Sequence, residues 1–384
     1  MKRIKLSKNK WFFYTIFILS ILSMIRTFII PLQADEITYF QIAKNILEGR
    51  YYQVDNPSTV APVMPLILAF FYSLEFPELS ILIAKIFPIL LFLGGLFFLY
   101  KFLKNIELEK KIILTIISLT IVNPIGIVFY SSFYPESVLF VCFWGLMYYL
   151  SKKEYSVSNF YKIVLLFLLI SLTRYLYFIL GAIVVYDFIM VMKQNNLRNR
   201  IKLCLFICIA LMPIILWFKY VYMIELSNLS EISYFNRFKT ESKTLYNIKA
   251  GLGLIQHEEV NKINGIPAFI SLFLPVTGLR DFFSSLLLIF TFILGYILNF
   301  NYLSKGIRVL FFALILTMLG LIYAGTGFSR YWLILLPGFL IGFYLFFDKI
   351  DFPKKWFIIV SQLICIVYVL NEIRIDILYF ERYF

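Results

Sequence analysis

Eleven runs of apolar residues, most of them about 16 to 22 residues long and parted by short charged stretches, govern what this chain can become, because that is the length of helix needed to cross a ~30 Å hydrocarbon layer. They lie near 11–30, 79–100, 112–130, 135–150, 160–173, 175–192, 201–222, 282–300, 308–326, 331–347 and 356–371. A membrane barrel would instead show short strands of alternating polarity. The expected fold class is therefore an all-α polytopic membrane protein with about 11 transmembrane helices. With 61% hydrophobic, 20% aromatic and only 15% charged residues, the composition lies far from that of a soluble domain. The first run follows a basic stretch in the manner of a signal sequence. It is too long for one, and Pro31-Leu32 offers no small-residue cleavage site, so it is expected to remain as the first span.

Basic residues decide how the runs are threaded. Clusters at Lys2–Lys10, Lys101–Lys111, Lys152 and Lys153, Lys193–Lys202, and Lys354 and Lys355 belong on the cytoplasmic side, where short loops carry excess Lys and Arg. The first two share a side only if an even number of crossings separates them. Runs 11–30 and 79–100 supply two, so a further run over 61–76, broken by Pro62 and Pro65, is expected to be re-entrant or interfacial. This threading sets 21 Lys and Arg against 6 acids inside and 15 against 16 outside. The N-terminus is then cytoplasmic, while the C-terminus, a first outer loop over 31–78 and a large outer loop over 225–281 face away from the cytoplasm. Residues 1–384 read as one transmembrane domain of the plasma membrane, without internal repeats. The tail from Asn371 to Phe384 has Ile373, Ile377 and Phe380 at helical spacing and is expected along the interface. The net charge of +14 is spread beside the runs rather than gathered on one face, so nucleic acid is not an expected partner.

Few polar groups stand at the outer ends of these runs. Asp35 and Glu36 open a stretch in which Phe40, Ala43, Ile46 and Leu47 recur at helical spacing before Gly49, the pattern of a short juxtamembrane helix stopped by glycine. Asp35 can serve there as a general base or simply cap the helix, and Glu36 is a second acid beside it. Glu136, in Tyr134-Pro135-Glu136-Ser137, either complements the dipole of the helix it opens or faces the same cavity as Asp35. Arg174 and Arg330 stand between apolar runs at the outer side, and Lys85 lies in the outer third of its run. A charge at membrane depth costs ~2.5–3.5 kcal/mol on insertion scales and usually faces a partner or a wet cavity. Three cations at one depth suggest an anion, of which a lipid-linked phosphate fits guanidinium geometry; snorkelling to headgroups is the alternative for each. Tyr39, Tyr134, Tyr175 and Tyr331 adjoin these charges and are candidates to line a substrate.

No cofactor is indicated, and a divalent metal has no support in the sequence. His257 is the single histidine, and Cys142, Cys204, Cys208 and Cys365 lie in apolar runs without a CxxC pair, so neither a zinc site nor a disulfide framework is suggested. Glycine-rich nucleotide motifs and the GxSxG elbow are missing.

Taken together, Asp35-Glu36, then Tyr39, Ala43, Leu47 and Gly49, then Ala61-Pro62-Val63-Met64-Pro65-Leu66 resemble the first outer loop of the GT-C glycosyltransferases, with the protein O-mannosyltransferases and the lipid A aminoarabinose transferases as the nearest types. The similarity continues in Tyr134-Pro135-Glu136-Ser137, in Thr173-Arg174 and in Arg330-Tyr331-Trp332 leading to Leu336-Pro337. The resemblance implies a GT-C-like fold, a polyprenyl-phosphate-linked sugar as donor, and a glycan, lipid or protein hydroxyl as acceptor. It further implies transfer outside the cytoplasm with inversion, and Asp35 as the base. Thr59, Val60 and Ala61 depart from it, since aminoarabinose transferases carry an acid and a lysine there. Within this expectation Arg174, Arg330 and Lys85 neutralise the phosphate, and the large loop, with Tyr234, Phe235, Asn236 and Tyr246, forms the acceptor side. Two other functions compete with it: a polymerase or ligase that moves a glycan from a lipid diphosphate, and a transporter, which calls for repeats and charges at the midplane.

Overall fold

The computed structural model describes residues 8–49, 51, 60–73, 77–228, 243–256, 263–275, 278–325, 327 and 329–383. Among these residues the secondary structure is entirely helical. Helix α1 (Lys8–Ile25) leads through a short turn to α2 (Asp35–Leu47), α3 (Val63–Tyr72) and α4 (Pro77–Asn105). Next come α5 (Lys110–Ile121), α6 (Pro124–Phe129), α7 (Glu136–Leu150), α8 (Val157–Thr173), α9 (Gly181–Gln194) and α10 (Leu197–Asn228). The chain closes with α11 (Lys243–Leu252), α12 (Phe282–Asn299), α13 (Lys305–Tyr323), α14 (Ser329–Leu333), α15 (Leu336–Lys349) and α16 (Lys354–Tyr383).

Among the described residues seven segments are long and apolar enough to cross a membrane: Trp11–Phe28, Ile81–Asn105, Tyr175–Gln194, Leu197–Met223, Phe282–Tyr302, Lys305–Tyr323 and Lys354–Arg382. This makes an all-α protein of membrane type. Its outward surface agrees: on α10, Leu205, Ile209, Met212 and Leu216 are each more than half exposed and recur on one face of the helix. Such a stripe suits lipid rather than water.

Local chemistry explains several boundaries. Asn123 accepts a hydrogen bond from the Gly126 amide at 3.0 Å and is followed by Pro124; a capping side chain with proline at the first helical position breaks the expected run 112–130 into α5 and α6. The expected run 331–347 is likewise divided, into α14 and α15. Ser156 caps α8 by accepting from the Asn159 amide, and Asp281 caps α12 by accepting from the Ser284 amide. The tail beyond Asn371 is not a separate interfacial helix. It continues α16 without a break to Tyr383, a helix of 30 residues, because no glycine or proline interrupts it. The proline-broken run forms α3, whose 10 residues span only about 15 Å.

Close crossings let these helices pack. A Cβ on Gly295 of α12 would lie 2.0 Å from the carbonyl oxygen of Gly342 on α15, so glycine is required for that approach. In the interior Phe92 stacks on Tyr130 at 4.4 Å, and the buried Trp144 indole donates to the Ile334 carbonyl at 3.2 Å. Where α1 meets α16, the buried Arg26 pairs with Glu372 at 2.6 Å and Asp376 at 2.8 Å, and Ser23 also donates to Asp376. Sequence reasoning passed over this cluster. Its signal was an arginine near the end of an apolar run together with two acids four residues apart on a distant helix.

Candidate functional site: two arginines and two carboxylates

Asp35 begins α2 immediately after a turn that fixes its direction. Ala34 sits at φ 46°, ψ −122°, a conformation that costs a non-glycine residue about 1–3 kcal/mol, and the surroundings hold it there. The Gln33 amide donates to Glu36 at 3.0 Å, the Phe133 amide donates to the other Glu36 oxygen at 2.9 Å, and the Tyr134 hydroxyl donates to the Gln33 carbonyl at 3.4 Å. Glu36 therefore fastens the first loop to the link before α7 and does not join the arginines. Burial pushes its carboxyl above the usual range, opposed by the two amides and by Lys85.

The turn delivers Asp35 to Arg330. A guanidinium nitrogen of Arg330 lies 2.6 Å from Asp35, and its Nε lies 3.9 Å from Glu136. The same Glu136 oxygen accepts from Arg174 at 2.8 Å. Four side chains from four distant stretches thus form one chain of charge: Asp35, Arg330, Glu136, Arg174. The Tyr331 ring faces both cations, 4.0 Å from the Arg174 guanidinium and 5.2 Å from that of Arg330. The rings of Tyr134 and Phe129 lie 5.0 and 5.6 Å from Arg330. Cations over aromatic faces are stabilised by the ring quadrupole, which compensates in part for their removal from water.

Exposure separates the two acids. The Glu136 side chain is 0% exposed and that of Asp35 is 44% exposed. One Glu136 oxygen, Oε2, is buried without a hydrogen-bond partner. Ala34 occupies the cap position of α2, and the Asp35 carboxylate accepts from Arg330. The Tyr39 phenol lies within electrostatic reach of both arginines and both acids; burial raises its pKa, with Arg174 opposing. Tyr134 is pushed up to about 12, chiefly by burial and against the pull of Arg330. Both phenols stay protonated, and the Tyr134 hydrogen is the one given to the Gln33 carbonyl.

Besides Glu36, two of the expected residues lie elsewhere. Lys85 donates to the carbonyls of Thr27, Phe28 and Ile30 at 2.9, 3.0 and 3.2 Å, which closes the chain end of α1 and occupies all three of its hydrogens. Tyr175 accepts from the Trp217 indole at 2.7 Å and packs on Phe218, tying its segment to α10. A cavity of about 460 Å³ has Glu36, Lys85, Tyr134, Arg26, Asn371 and Arg374 among its walls; none of Asp35, Arg330, Glu136 and Arg174 lines it. Among the described residues no group of three or more His, Cys, Asp or Glu side chains could hold a metal ion. His257, Tyr234, Phe235 and Asn236 lie outside the described residues. The chain matches no protein-family model and no curated protein.

Proposed function

We propose that this protein is a GT-C-type glycosyltransferase of about 11 spans that moves a sugar from a polyprenyl-phosphate donor to an acceptor hydroxyl on the non-cytoplasmic face. The observation that carries this reading is the linked set of Asp35, Arg330, Glu136 and Arg174, assembled at the start of the juxtamembrane helix. In this reading α3 is the re-entrant piece of the first loop, and the N-terminus is cytoplasmic.

The mechanism follows from which acid can move. A phosphate drawn to Arg174 and Arg330 competes with Asp35 for Arg330. Glu136 is sealed in and stays as the fixed counter-charge; Asp35 is solvated and can leave. Exchanging Asp35 for a phosphate keeps the local charge balance and frees the carboxylate. The acceptor oxygen then attacks the anomeric carbon, and the bond from that carbon to the phosphate oxygen breaks with its electron pair on the phosphate. The acceptor proton passes to Asp35. The two guanidiniums stabilise the charge that develops on the phosphate, where preorganised donors act most strongly. Tyr39 remains protonated and can donate to sugar or phosphate oxygens, while the Tyr134 hydroxyl stays on the Gln33 carbonyl.

The test is transfer of radiolabelled sugar from polyprenyl-phosphate-sugar donors by the purified protein in lipid nanodiscs. Loss of a general base costs ~10²–10⁴-fold, and Asp35→Asn is expected to lose that much. Equal turnover in Asp35→Asn and wild type removes the proposal. Turnover only from lipid-diphosphate glycans points to the polymerase or ligase chemistry instead.

A further inference from the structure

Arg330 is carried by α14, a helix of 5 residues, too short to hold its own direction. The residues on either side of it rest on one place. Gly265, at φ +73°, marks the turn into the buried segment Ile266–Phe273 of the large loop. A Cβ on Gly327 would lie 2.3 Å from the Gly265 Cα, and one on Gly265 would lie 1.9 Å from the Gly251 carbonyl oxygen. A Cβ on Gly251 of α11 would in turn lie 2.3 Å from the carbonyl oxygen of Ile322 at the end of α13. Three chain segments therefore meet backbone to backbone, with no room for any side chain between them. On the far side of Arg330 the Trp332 indole donates to the Gly327 carbonyl at 3.1 Å and sets its ring edge-on to Phe269 at 5.6 Å. Trp332 and Phe269 are both fully buried.

The seat is itself anchored. The Leu272 carbonyl accepts from the Asn123 side chain at 2.7 Å, the Ile270 amide donates to Ser285 at 3.0 Å, and the Pro267 carbonyl accepts from the Asp281 amide at 3.1 Å. Asn123 also caps α6, which carries the Phe129 ring that faces Arg330.

We propose that Gly265–Phe269 is the positioning element for Arg330, and that Gly265, Gly327 and Trp332 are positioning residues of the site. The large loop, expected as the acceptor side, then also sets where a guanidinium points. The importance of this for catalysis rests on the proposed reaction, whereas the mechanical claim does not. In a protein with the four native cysteines replaced, the thiol of Arg330→Cys reports on the seat through its rate of modification by a charged methanethiosulfonate in nanodiscs. Trp332→Phe keeps the ring on Phe269 and deletes only the indole donor; it is expected to raise that rate about tenfold, the effect of one lost hydrogen bond. Gly265→Ala is expected to raise it further, and Trp356→Phe, on an exposed and distant indole, to leave it within about twofold. With Arg330 intact, Trp332→Phe is expected to raise KM for the donor more than it lowers kcat. An unchanged thiol rate in Trp332→Phe overturns the proposal even if Gly265→Ala does not fold. A raised rate in a protein that transfers no sugar from any lipid monophosphate supports the seat and overturns the reaction.

Discussion

At the residue scale, two acids adjacent in sequence have opposite fates. Asp35 reaches an arginine and water; Glu36 is buried on two backbone amides. Their substitutions should therefore separate. Asp35→Asn is expected to slow transfer by ~10²–10⁴-fold with little change in thermal stability, whereas Glu36→Gln alters the fold's response to pH. The Glu36 pKa is raised above its unfolded value of 4.5, so the folded state holds that proton more tightly. Its contribution is fully present below 4.5 and is lost as pH rises through the raised value. The melting temperature of wild type relative to Glu36→Gln should accordingly be highest in acid and fall toward neutrality, and a constant difference would contradict the assignment. Arg174→Lys and Arg330→Lys keep the charge but lose the planar fork, and each is expected to raise KM for a phosphate-bearing donor about tenfold. The sequence made Asp35, Glu136, Arg174 and Arg330 visible as isolated charges among apolar residues. It could not assign Lys85 to carbonyls rather than to an anion, because that depends on where α1 stops beside α4.

Each apolar run found in the sequence falls on helix, since hydrophobic length is a local property. What periodicity could not supply was the breaks, at Asn123-Pro124 and between α14 and α15, and the rotation of each helix about its axis. Rotation is what brings Glu372 and Asp376 of α16 against Arg26, just past the end of α1. Breaking a buried pair by removing one partner costs ~3–5 kcal/mol. Glu372→Leu should therefore lower the thermal midpoint in nanodiscs by several degrees, while Glu381→Leu, on an exposed stretch of the same helix, should leave it unchanged. Equal melting of the two variants would mean that the ion pair does not hold the helices together.

For the molecule as a whole, the distribution of Lys and Arg predicts which loops face outward. In a cysteine-free background, Glu48→Cys and Arg280→Cys should react with an impermeant maleimide added to intact cells, and Glu107→Cys only after permeabilisation. The reverse pattern would invert the threading and detach the site from an outer donor. Overall class was legible in the sequence because it follows from composition along the chain; the convergence of Asp35, Glu136, Arg174 and Arg330 was not, because it depends on tertiary packing. The Arg26 cluster also bears on how such a protein is made. Arg26 and Asp376 are 350 residues apart, so at ~5–20 residues per second of synthesis the arginine waits roughly 20–70 s for its partners. Through that interval the end of the first helix holds an uncompensated cation, and its junction with α16 can close only when the last helix arrives. Chains cut short by a nonsense codon before Glu372 would be left with that charge open.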